Sequence, residues 1–145
     1  MFEIVILGAL IIWQVKSLCD EVRYYRGTKK SNIELKDDEK GPLGCIAILL
    51  CVLIPILFIV VLAIGAHRIN NECLLILLIA SMIYEIISIP HNISFNGKLF
   101  QSDNPNSEYL KAIRDKKNIT FESFNIVETG TMIWLFVELV SQVMH

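Results

Sequence analysis

From Pro42 to Gly65 the chain runs for 24 residues without a single charge, PLGCIAILLCVLIPILFIVVLAIG. At ~1.5 Å per residue, a helix of this length crosses the ~30 Å hydrocarbon core of a bilayer with a little to spare. A soluble helix so long would carry a polar face, and this segment has none. The chain therefore reads as an integral membrane protein, and its residues must be weighed with lipid as the solvent.

Three further apolar stretches bring the expected number of spans to four, at residues 2–18, 42–66, 73–90 and 125–144. The first is interrupted by Gln14 and Lys16 and has a helix lying in the interface as its alternative. It lacks the basic start and small-residue cleavage site of a signal peptide, and reads as a retained helix. Pro42 suits a first helical turn, whereas Pro55 predicts a kink near the middle of the second span. The link from His67 to Glu72 admits only an antiparallel hairpin of spans two and three. With 145 residues and a mean hydropathy of +0.54, the chain has room for one membrane domain, residues 1–145, and short loops.

Charge predicts the orientation. Twelve of the thirteen Lys and Arg residues fall around two segments, 19–41 and 91–124, which four alternating spans bring to one side. Only Arg68 falls on the other. Basic loops resist translocation, so both segments are expected to be cytoplasmic, with both termini outside the cell or bacterial inner membrane. In the second segment, Asn96-Gly97 between Ile93 and Phe100 predicts a β-hairpin. Asn104-Pro105 predicts the start of a helix continuing through Ser107–Lys117. The expected fold is an all-α, four-span transmembrane bundle with a small cytoplasmic hairpin-plus-helix element.

The functional residues are the polar ones that lipid should exclude. A charge near the bilayer centre costs about 2.5–3.5 kcal/mol on insertion scales, yet Glu85, Glu128 and Glu138 all lie in apolar spans. Each must be neutralised, paired through a cation, or turned to a polar interior. On the fourth span Glu128, Thr131, Leu135, Glu138 and Gln142 follow steps of three and four, which makes one stripe. Ser81, Glu85 and Ser88 do the same on the third span, and Glu3, Leu7, Leu10 and Gln14 give a weaker version on the first. Stripes of this kind face one another, predicting an intramembrane polar seam. Glu85 and Glu128 are expected at similar depth near the cytoplasmic side, with His91 at that interface, and Glu138 in the outer half near His67 and Arg68.

Three uses of the seam compete: hydrogen-bonding between helices, a proton or cation pathway, and a metal site from Glu85, Glu128 and His91 with Cys45. The last has suitable ligand types and no motif spacing, so no metal or cofactor is expected. The four cysteines form no C-x-x-C pair, unlike the paired reactive cysteines of four-helix quinone-linked thiol oxidases. The size and the intramembrane glutamates are similar to those of small multidrug transporters. Their loops are tiny and weakly biased in charge, and those of this chain are neither. The mixed charge of segment 19–41 gives no nucleic-acid patch, and no nucleophile–base pair suggests an enzyme.

The first functional expectation is accordingly a non-catalytic accessory, regulatory or immunity-type subunit. It would bind another membrane protein, or further copies of itself, through the seam. The alternative is an oligomeric proton- or cation-coupled transporter or channel that uses the glutamates.

Overall fold

The computed structural model describes residues 1–25, 37–101 and 116–145, with side chains for 1–23, 44–98 and 119–145. These residues form four helices: α1 (Phe2–Tyr25), α2 (Asp37–His67), α3 (Glu72–Gln101) and α4 (Lys116–Met144). Each contains a stretch long and apolar enough to cross a membrane: Phe2–Arg23, Gly44–His67, Glu72–Lys98 and Ile119–Met144. That is the make-up of a multi-pass membrane protein.

The helices alternate in direction, and each of α1 and α3 packs against both α2 and α4. The turn between α2 and α3 is closed locally. Arg68 N donates to Gly65 O at 3.0 Å, and the Asn71 side chain caps α3 by accepting from Leu74 N at 3.2 Å. Arg68 also reaches across to Glu3 at 2.9 Å, tying the start of α1 to that turn.

Polarity in this bundle is inverted relative to a water-soluble one. Ile46, Leu49, Leu53, Ile76, Ile83, Ile86, Ile126 and Val137 face outward, while Gln14, Glu85, Ser88, Glu128 and Thr131 are buried. Lipid tolerates the first group, and the bundle interior shelters the second. The half of the bundle near the α2–α3 turn holds a dry core in which Leu7, Leu62, Leu74, Leu78, Met132 and Leu135 are fully buried. Here α2 approaches α4 closely. A Cβ added to Gly65 would lie 2.7 Å from Leu135 Cδ2. Gly65→Val is therefore expected to lower stability by about 1–3 kcal/mol, the usual range for overpacking, read as a lower melting temperature in detergent.

All four helices outrun the spans expected from sequence. With 24, 31, 30 and 29 residues they exceed the ~20 needed to cross the hydrocarbon core. The apolar pattern marks where lipid ends; a helix continues into charged sequence as long as its backbone bonds persist. The expected loops shrink accordingly, since 19–25, 37–41, 91–101 and 116–124 are helical. Pro55 leaves α2 unbroken, and Pro90 lies inside α3.

The β-hairpin expected at Ile93–Phe100 is not formed, because α3 passes straight through Asn96-Gly97. A lone two-stranded hairpin is marginal, whereas extending an existing helix adds one backbone bond per residue. Asn96 reinforces the helix: its Nδ2 donates to Asn92 O at 2.9 Å and lies 3.2 Å from Cys51 Sγ on α2. A Cβ on Gly97 would meet nothing within 4 Å. Gly97→Ala should therefore stabilise the protein by about 0.5–1 kcal/mol, because alanine is the better helix former. A turn at Asn96-Gly97 would give the opposite sign, so a thermal melt of this variant checks the correction. The expected start at Asn104-Pro105 lies outside the described residues, as does most of Ser107–Lys117; Lys116 and Lys117 open α4.

Candidate functional site

The polar stripes converge where α1, α3 and α4 meet. Glu128 on α4 is 1% exposed and Glu85 on α3 is 7% exposed, and their carboxyls lie within hydrogen-bonding reach of each other. From α1, Gln14 Nε2 donates to Glu128 Oε2 at 3.0 Å. Gln14 Oε1 and Glu128 Oε1 are buried and have no donor within the protein. Two carboxyls so close are stable only with a positive partner between them, a proton or a cation.

Of the neighbouring hydroxyls, that of Ser88 also lies within reach of the Glu85 carboxyl. Ser88 Oγ donates to Glu85 O at 2.8 Å, Thr131 Oγ1 to Val127 O at 2.9 Å and Thr129 Oγ1 to Asn125 O at 2.7 Å. Each is satisfied by the backbone of its own helix, as is common for hydroxyls in apolar helices. Ser81 is also buried, one turn from Glu85 on the side of the dry core.

A cavity of about 450 Å³ bordered by all four helices opens beside the pair and is lined by Glu85, while Glu128 is buried behind its wall. It follows Gln14 to Glu21 on α1 and Glu85 to Asn96 on α3, roughly 10–16 Å at helical rise. Its walls mix aromatic and aliphatic side chains, Trp13, Phe58, Tyr84, Phe95 and Phe121 among them, with polar ones such as Asn92 and Asn96. Trp13 and Phe58 pack at 6.2 Å, and Tyr84 stacks on Phe124 at 5.6 Å. Pro55 also lines the cavity, and it has no N–H to offer the carbonyl of Cys51, a cavity residue one turn earlier.

A second acid pair lies farther from the dry core. Glu21 on α1 and Glu122 on α4 are within hydrogen-bonding reach, and Asn125 Nδ2 donates to Glu122 Oε2 at 3.3 Å. The Tyr84 hydroxyl, 2.6 Å from Asn125 Oδ1 and 3.0 Å from Phe121 O, joins α3 to this group. His91 lies flat against Phe121, with ring centres 4.0 Å apart and planes 7° apart. Among the described residues no Lys or Arg lines the cavity. Nor do three or more His, Cys, Asp or Glu side chains gather there closely enough to hold a metal ion.

The structure thus brings together Ser81, Glu85, Ser88, Glu128 and Thr131, with His91 nearby. The other expected residues lie apart. Glu138 is partly exposed and accepts from Trp134 Nε1 at 3.3 Å on its own helix. Gln142 donates to Arg68 O at 3.1 Å, Arg68 pairs with Glu3, and His67 is exposed at the end of α2. Sequence reasoning passed over Glu21, Tyr84, Asn92, Asn96, Glu122 and Asn125. A signal was present for several of them. Ser81, Glu85, Ser88, Asn92 and Asn96 continue one stripe beyond Pro90, and Gln14, Ser17 and Glu21 extend the stripe of α1. Compared with known protein families, curated proteins and solved structures, the chain matches none.

Proposed function

We propose that this chain is a small transporter or channel subunit of the cell membrane that takes up protons or another cation on the Glu85–Glu128 pair. One observation carries the reading: two acids from neighbouring apolar helices are buried together, Glu85 lines the end of a cavity, and among the described residues no Lys or Arg lines that cavity. Acids in that position are costly to keep in lipid and serve when their charge must change. The charge bias of the sequence supports a cytoplasmic location for the cavity end, with both termini outside.

The dry layer formed by Leu7, Leu78, Met132 and Leu135 closes the opposite half, so the bundle as it stands is no open pore. Passage across that layer needs a second arrangement of the helices, and assembly of several copies fits the small bundle. The accessory-subunit reading draws less support. It needs the seam as a docking face, whereas Glu85, Ser88, Glu128 and Thr131 point inward and leave the outer faces apolar.

Flux into proteoliposomes tests the proposal. Purified protein is reconstituted with a pH-sensitive dye inside, and a potassium–valinomycin potential is imposed. Faster acidification than in protein-free vesicles is the expected result. Rates no faster than in protein-free vesicles, for protons and for each monovalent cation tried, would remove the transport reading.

A further inference from the structure

The cavity has a composition that neither a proton nor a metal ion calls for. A proton needs only the carboxyls, and a metal ion needs a convergent set of ligands that the described residues lack. This cavity instead sets three acids, Glu21, Glu85 and Glu122, beside several rings, and its volume of about 450 Å³ lies within the ~300–1,000 Å³ typical of small-molecule sites. Gln14, which lines the cavity and is 7% exposed, leaves Oε1 without a donor, and Oε1 of the buried Glu128 that it contacts is likewise unpartnered. Among the described residues both unmet buried polar side-chain atoms are acceptors. The lining also includes Trp13, Phe58 and Phe95, and aromatic rings attract a diffuse positive charge.

From this we propose that the cavity binds an organic monocation, its apolar or aromatic body between Trp13, Phe58 and Phe121 and its charge against Glu85, the member of the Glu85–Glu128 pair that lines it. The inference rests on the reading of that pair as a seat for a positive partner and names the chemical class it takes. A phospholipid headgroup fits less well, since it would bring its own phosphate against Glu21 and Glu122. The occupant is a free cation with no anionic group.

Tetraphenylphosphonium and tetraphenylborate provide the test, because they share a shape and differ in the sign of charge. Trp13 reports binding by fluorescence in detergent once the other tryptophan is removed by Trp134→Phe. The proposal expects saturable binding of the phosphonium, at least about tenfold tighter than the borate. Binding should weaken by a similar factor in Glu85→Gln/Glu128→Gln and be unchanged in Glu72→Gln, which alters an exposed acid outside the cavity.

Equal affinity for the two ions in the otherwise native protein would overturn the proposal without reliance on any variant in the pair. So would phosphonium binding that survives the double substitution. Proton flux with no phosphonium binding would also overturn it, while leaving the transport reading intact. Phosphonium binding that depends on the pair, without flux of any ion, would uphold the site and remove transport.

Discussion

Glu85→Gln/Glu128→Gln reduces cation flux in proteoliposomes to the protein-free rate while the protein still elutes as the native species. The amide keeps the volume of the carboxyl and its capacity to hydrogen-bond, so the junction of α1, α3 and α4 retains its packing. What it loses is the ability to carry a reversible negative charge. Each single substitution leaves one acid beside a neutral donor and should impair flux severely, because the pair works through the partner held between its two carboxyls. Unchanged flux in the double variant would leave the glutamates a purely structural role. The matching control is Glu138→Gln, which changes an acid that lies apart with Trp134, and flux should persist.

The second large effect is on stability and separates packing from charge. Gln14→Leu removes the donor to a nearly fully buried carboxyl, and Glu128→Leu strands the Gln14 amide in an apolar interior. Leaving one buried polar partner unsatisfied costs about 1–3 kcal/mol in each case, read as a lower melting temperature. Replacing both by Leu removes donor and acceptor together and should recover most of that loss, since an apolar pair of similar shape needs no hydrogen bonds. A coupling energy near zero across this double-mutant cycle would contradict the hydrogen bond between α1 and α4. The restored double variant should still transport nothing. In that protein fold and function come apart, which identifies the buried carboxyl as a feature kept for use.

Much of this arrangement was legible in the sequence, and the failures have physical causes. The four spans follow from the length of apolar runs, and the meeting of Glu85 with Glu128 follows from stripes at steps of three and four. Gln14 first reads as a flaw in a span, and its donation to Glu128 turns that flaw into a component of the seam. The reading stopped short at Pro90 and at Asn96-Gly97, because local signals for a break and a turn are strong there. Packing of α3 along α2 outweighed both, and with the helix came Asn92 and Asn96 on the cavity wall. Glu21 and Glu122 lie among charged residues that resemble ordinary solvated sequence. The stripe of α1 points to Glu21, whereas the approach of α1 to α4 is what distinguishes Glu122. Glu138 shares the stripe of Glu128, and the structure places it at a partly exposed position beside Trp134, apart from the buried pair.

The central claim is that Glu85 and Glu128 of one chain face each other inside the bundle, and proximity tests it most directly. In a background with Cys19, Cys45, Cys51 and Cys73 replaced by Ala, Glu85→Cys and Glu128→Cys are combined and treated in native membranes with a short bis-methanethiosulfonate reagent. The spacer stands in for the side-chain length lost from each glutamate. The account predicts an efficient bridge within a single chain, seen as two joined fragments after cleavage between α3 and α4. A bridge formed only between separate chains, or none at all, would contradict it.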